Sequence, residues 1–276
     1  MRSPELIVSF PKSVPENLFS ESRAVLVIGH PGHELCVYGW LQLARPRVFI
    51  LTDGSGRSGS SRLDSTTRIL SQVYAQPASI YGRLTDQAVY NAILNASLQL
   101  FIELGEELAD ALVREQIHYV VGDAMEGYNP THDVCRLVIN AAVELAQQRN
   151  GQRIANFEFP LAASVVFRKT QEDQAISVEL GERTFAKKLA AAYAYSELAP
   201  EVKSALAERG MDAFKIERLR PADNRNIERK FLKEPPFYER HGARQVEAGH
   251  YERVIRYRDH FLPLSHAFRD HVIKSS

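Results

Sequence analysis

Residues 24–54 read AVLVIGHPGHELCVYGWLQLARPRVFILTDG, and their pattern decides the fold class. Ala24 to His30 is a short, continuous, β-branched run that closes in polar residues, as a strand buried on both faces of a parallel sheet does. Leu35 to Ala44 suits a helix, and Arg45-Pro46 stops it because proline cannot continue the hydrogen-bond ladder. Arg47 to Gly54 is a second buried strand, followed by a Gly/Ser loop through Ser61.

Outward from this unit the alternation continues. Helical spacing resumes over Ser61 to Tyr74, and Ala78 to Gly82 suits a third strand. Leu98, Phe101, Leu104, Leu108 and Leu112 recur every three or four residues and predict a long amphipathic helix. His118 to Ala124 reads as a fourth strand, Asp133 to Gln148 as the helix after it, ended by Asn150-Gly151, and Ile154 to Leu161 as a further strand. The pattern predicts an α/β, Rossmann-like three-layer domain with a mostly parallel sheet. After Gln171 it weakens: Ile176 to Leu180 suits a strand, and Thr184 to Leu198 a helix with lysines on its outer face. Residues 1–200 are expected to form the α/β domain. Residues 201–276, poor in apolar periodicity and dense in Arg, Tyr, His and Pro, are expected as an irregular C-terminal extension packing on it, as a lid, an oligomer contact or a wrap over the sheet.

Composition narrows the function classes. The chain has 276 residues, 45% hydrophobic and 25% charged, an ordinary globular balance. Lys+Arg and Asp+Glu are 34 each, so no overall field draws nucleic acid or an anionic membrane. No apolar run approaches the ~18 residues of a membrane span, and Met1 to Glu21 has no apolar core resembling a signal peptide. The two cysteines, Cys36 and Cys135, do not make a disulfide framework and suit a reducing, cytoplasmic location.

In open α/β sheets ligands bind beyond the carboxyl ends of the strands, which directs attention to the loops His30–Glu34, Thr52–Ser61 and Asp123–Asp133. His30 and His33 sit at the end of the first strand, where a strand-to-helix turn can aim both imidazoles at one point. A histidine pair alone is more often a surface or core feature than a ligand pair, and two imidazoles hold a metal weakly. His132, in a neighbouring loop, is the natural third ligand for Zn2+ or another divalent transition metal, leaving one position open for water. Asp53, Asp123, Glu126 and Asp133 are nearby carboxylates able to orient a ligand histidine from behind. Cys36 and Cys135 each follow a proposed ligand by three residues; packing is the simpler role for both. The tail arginines Arg218, Arg220, Arg225, Arg229, Arg240 and Arg244 suit a solvated surface or subunit contact better than an anion site.

VIGHPGHELCVYG (Val27 to Gly39) resembles the signature of the PIG-L / LmbE family of zinc-dependent N-deacetylases, which reads His-Pro-Asp-Asp-Glu after a hydrophobic strand. LTDGSG (Leu51 to Gly56), Arg62, YGRLTDQ (Tyr81 to Gln87, closing on Asp86), YNPTHDV (Tyr128 to Val134) and KLAAAYAYS (Lys188 to Ser196) are similar to later family segments in the same order, over Ala24 to Ser196. The resemblance implies His30, His33 and His132 as metal positions, with Asp53, Arg62 and Asp86 holding substrate. The chain departs from the pattern at four positions: His33 replaces a carboxylate ligand, Gly32 stands at the position of the base, and Asn129 and Thr131 replace the oxyanion-stabilising His and the Asp of the later loop. Glu34 is a substitute base or a first-turn carboxylate favoured by the helix dipole. The expectation is a metal-dependent hydrolase that deacetylates an N-acyl sugar (a carbohydrate amide) or related amide through metal-bound water, with Asn129 stabilising the oxyanion. Small-molecule substrate, no nucleic acid, no membrane and possible homo-oligomerisation are the expected partners. The rival expectations are a non-hydrolytic member that binds a ligand or partner, because Gly32 cannot take a proton, and redox or lyase chemistry at iron or copper.

Overall fold

The computed structural model describes residues 5–56, 59–161, 174–222 and 224–275. Its described strands form one eight-stranded sheet in the order β1-β7-β8-β6-β5-β2-β3-β4. These are β1 (Leu6–Ser9), β2 (Ala24–Ile28), β3 (Arg47–Thr52), β4 (Gln76–Leu84), β5 (Tyr119–Asp123), β6 (Ala155–Phe159), β7 (Ile176–Leu180) and β8 (Ile216–Pro221). The run from β6 through β5, β2 and β3 to β4 is parallel, and the β1, β7 and β8 end is antiparallel. The α/β class and mostly parallel sheet expected from the sequence are present.

The central strand β2 is buried along its whole length because it is covered on both faces. Side chains alternate across a strand. Val25 and Val27 therefore enter one core, against α5 (Leu98–Arg114), α6 (Pro130–Asn150) and the C-terminal helix α11 (Leu262–Lys274). Ala24, Leu26 and Ile28 enter the other, with α2 (Tyr38–Ala44), α3 (Leu63–Gln72) and α7 (Glu182–Tyr193). The remaining described α-helices are α1 (Leu18–Glu21), α4 (Asp86–Leu94), α8 (Ala199–Arg209), α9 (Asn224–Lys233) and α10 (Phe237–Glu247). The expected helix from Leu35 begins as a tight 3-10 turn over His33–Val37 before α2. The helix expected to reach Leu198 ends at Tyr193, and Ser196–Leu198 forms a separate 3-10 turn. Among the described residues no helix is long and apolar enough to cross a membrane.

Residues beyond 200 supply more than a cover. β8 is hydrogen-bonded between β7 and β6, and Leu264, Phe268 and Val272 of α11 belong to the core that β2 and α5 share. Hydrophobic patterning hides β8 because two of its inward residues are charged. Glu217 accepts from the N–H groups of Gly39 and Trp40, both at 2.9 Å, and from Lys188 Nζ at 2.9 Å. It thereby satisfies donors in the first turn of α2 that have no intrahelical partner. Arg220 donates to Glu158 of β6 at 2.7 Å. The tail arginines do not form one surface: Arg220 is buried and Arg218 half-buried, Arg229, Arg240 and Arg244 are exposed, and the Arg225 side chain lies outside the described residues.

Replacing Glu217 by Ala strands the buried Lys188 ammonium and frees two N–H groups of α2. The expected loss is about 3–5 kcal/mol of unfolding free energy, read by urea denaturation. A loss within experimental error would show that the pair does not secure β8 to α2.

Candidate metal centre

β2, β3 and β5 are adjacent and parallel, so their carboxyl ends open onto one place. His30 and His33 follow β2, and His132 lies in the first turn of α6, after β5. The three imidazoles face one another: ring centroids are 5.3 Å apart for His30–His33, 5.1 Å for His30–His132 and 4.5 Å for His33–His132. The histidines named from the sequence are brought together.

Two of the rings are held from behind by carboxylates. His30 Nδ1 lies 2.9 Å from Asp86 Oδ1 and 2.9 Å from Thr52 Oγ1. His33 Nδ1 lies 2.9 Å from Asp123 Oδ2, which also accepts the Gly29 N–H at 2.7 Å. An ionised carboxylate can only accept, so the hydrogen belongs on Nδ1 of each ring and the Nε2 lone pair is left for the cluster. His30 Nε2 is buried without a partner, and so is His132 Nδ1. Burial, reinforced by His33 and His30, holds His132 well below the usual imidazole range and keeps it neutral, the form that ligates a metal.

The geometry bears on whether a zinc ion fits. With Zn–N near 2.1 Å in a tetrahedral site, imidazole centroids fall about 5 Å apart, and the three observed separations bracket that value. No group of three or more His, Cys, Asp or Glu among the described residues has its donors already gathered as a metal site. Rotating an imidazole moves its nitrogens more than its centroid, and the ring spacing and the two unpartnered nitrogens let the ion be held after such a rotation.

The other residues named from the sequence take varied positions. Asp86 spends its second oxygen on the Gly56 N–H at 2.6 Å. Asp53 caps its own loop, accepting from Ser55 N at 3.0 Å. Arg62, half-buried, turns toward the same place: a methyl group on Gly56 would stand 3.5 Å from its guanidinium and 3.7 Å from Asp86 Oδ2. Asn129 caps α6 through Oδ1, which accepts from Thr131 N at 2.8 Å, leaving the amide nitrogen as its donating end. Asp133 binds the N–H groups of Glu126 and Gly127, and burial pushes its carboxyl up to about 8. Glu126 faces the Leu161 N–H. Cys36 is exposed; Cys135 is buried, which pushes its thiol up, away from the thiolate.

Glu34 is fully buried and its carboxyl is raised by burial. Its oxygens accept from Gly32 N at 2.7 Å and Thr66 Oγ1 at 2.8 Å. Gly32 has φ of +107°, which L side chains rarely adopt, and a Cβ there would stand 2.3 Å from Leu198 Cδ1. The position that the family resemblance gives to a base is therefore walled by a leucine. Sequence reasoning gave no role to Thr66 or Leu198, and left Thr52 and Tyr195 unassigned inside segments it did single out, the loop Thr52–Ser61 and the stretch Lys188 to Ser196.

Comparisons with known proteins match this architecture. The chain matches no protein-family model and no curated protein. Solved structures do match it, each over 72% of this chain. The zinc-inhibited form of teicoplanin deacetylase Orf2 is 12% identical, with 97% of its own chain covered and a TM-score of 0.50. The A40926 pseudoaglycone deacetylase Dbv21 is 16% identical, with 96% covered and a TM-score of 0.50. A triple mutant of the deacetylase of teicoplanin biosynthesis is 14% identical, with 97% covered and a TM-score of 0.51. The chain has the fold of these deacetylases.

The Asp86 pair gives a test of the site's electrostatics. Burial by itself raises the Asp86 carboxyl, but the hydrogen bond of His30 and its charge once protonated, with hydrogen bonds from Thr52 and Gly56, outweigh it and hold the group well below the usual carboxylate range. A depressed folded value means stability that is present above the unfolded pKa of about 3.9 and lost as pH falls below it. The difference in unfolding free energy between the parent and Asp86→Asn is expected to hold steady above about pH 5 and to shrink as pH falls from about 4 toward 2. A difference that stays flat would show that Asp86 is not an ionised partner.

Proposed function

We propose that this protein is a metal-dependent hydrolase of the deacetylase kind, removing an acyl group from an N-acyl sugar or related amide. The observation that carries the reading is the pair of buried, unpartnered nitrogens, His30 Nε2 and His132 Nδ1, on rings that face each other and His33. A buried polar atom left unsatisfied costs about 1–3 kcal/mol, and a metal held by His30, His33 and His132 removes that cost for both rings. The names of the structural neighbours, deacetylases with one in a zinc-inhibited form, support the same reading. Bound zinc supplies a Lewis acid for the acyl carbonyl and brings a water's pKa to about 7.

The chain's own residues do the remainder. Asp86 and Asp123 fix the tautomers of His30 and His33 and hold their rings in place. Asn129, whose Oδ1 is engaged by the Thr131 N–H, keeps its amide nitrogen to donate to a developing oxyanion, while Arg62 holds a hydroxyl or anionic group of the substrate. Glu34 has both oxygens engaged, on Gly32 and Thr66, so a role in proton transfer requires one of those bonds to open. The leucine wall beside Gly32 favours a second reading, a protein that retains the metal and binds an acylated ligand without cleaving it.

Elemental analysis beside a His132→Ala variant is the test, with a panel of N-acetyl sugars assayed for acetate. About one equivalent of zinc in the parent, little in the variant, and acetate released by the parent alone is the expected outcome. No metal in the parent after reconstitution contradicts both readings; bound zinc without acetate release supports the second.

A further inference from the structure

The segment following α7 reaches across to the histidine turn from outside the strand-end loops. Leu198 fills the space that a side chain at position 32 would need, with Tyr195 Cζ also within 3.8 Å of the same point. Tyr195 is 1% exposed, and its hydroxyl lies 2.9 Å from Thr66 Oγ1 and donates to the Arg62 carbonyl at 3.2 Å. Thr66 donates to Glu34, and Glu34 accepts from the Gly32 N–H. Glu197 ties the segment to α3 through Ser65 Oγ at 3.0 Å. The contacts close a ring: Gly32 to Glu34, Thr66, Tyr195 and Leu198, and back to Gly32. On its other side the turn is bounded by Gly54, where a Cβ would meet Pro31 Cδ at 2.9 Å.

We infer that Tyr195 and Leu198 are positioning residues that clamp the His30-Pro31-Gly32-His33 turn, fixing how His30 and His33 face His132. Leu198 acts by shape: it occupies the room in which Gly32 would otherwise move. Tyr195 acts through its one hydroxyl hydrogen, shared between the Arg62 carbonyl and Thr66 Oγ1 at the start of α3, with Thr66 in turn donating to Glu34 of the turn. The inference rests on the histidine cluster being the working site, but its geometry does not require a metal to be bound.

Leu198→Ala, Leu198→Met and Tyr195→Phe separate the possibilities, each read by amide hydrogen exchange at Gly32, by ring 15N shifts of His30 and His33, and by zinc titration. Leu198→Ala is expected to speed exchange at Gly32 about tenfold and to weaken zinc binding about tenfold, the lower range for residues that support a metal ligand. Leu198→Met should restore both, and exchange at Val121 in the β5 core should not change. Tyr195→Phe keeps the packing and should move the His30 and His33 shifts in the same direction, so the inference does not hang on the fold of one variant. Unchanged Gly32 exchange and ring shifts in Leu198→Ala overturn the clamp. Faster exchange with zinc affinity intact overturns its positioning role. A parent that binds no zinc contradicts the proposed function instead, and the exchange and ring shifts then decide the clamp alone.

Discussion

The Asp123 carboxylate ties the site together. It sits at the end of β5 with its side chain wholly buried, accepts the Gly29 N–H of the neighbouring strand end and faces His33 Nδ1. A buried charge is tolerated only when it is paired and hydrogen-bonded. Here that requirement fixes two strand ends at once: β2 must deliver Gly29 and His33 to the point where β5 ends. The backbone carbonyl of Asp123 is held in turn by Arg136 Nε at 2.6 Å, and the same guanidinium reaches Asn156 and Phe157 of β6. Asp123 and Arg136 together thus register three adjacent strands, and the histidine cluster inherits its geometry from that registration.

The departures from the family pattern have a common electrostatic sense. With imidazole in place of a carboxylate at position 33, all three candidate ligands are uncharged when they bind. On the proposed reading, the carboxylates behind the rings, Asp86 and Asp123, would supply the negative charge that balances a divalent ion. A centre built this way depends on the supporting carboxylates as much as on the rings. Gly32 belongs to the same rearrangement. Its positive φ and the leucine beside it make the turn a tightly held support for histidines, with no room for a side chain of its own.

Much of this was legible in the sequence, for physical reasons. Strands buried on both faces are continuous apolar runs, so β2, β3 and β5 stand out, and the switch-point rule then names the loops that hold the histidines. The long repeat from Leu98 to Leu112 marks α5 because one helical face must be apolar. β8 was hidden because Glu217 and Arg220 are buried by pairing with Lys188 and Glu158, residues that lie far away in the chain. The role of Tyr195 and Leu198 was hidden for a related reason: Tyr195 stood out only as part of the Lys188 to Ser196 stretch, and Leu198 is an ordinary position near a helix end. Their meaning lies in contacts to Gly32, Arg62 and Thr66 that only the tertiary fold creates.

X-ray absorption at the zinc edge of the reconstituted protein tests the central claim most directly. The account predicts a first shell dominated by nitrogen at about 2.0–2.1 Å, with the outer-shell scattering of three imidazoles. A sulfur shell near 2.3 Å, or a shell of oxygen without imidazole scattering, would contradict it and place the metal away from His30, His33 and His132.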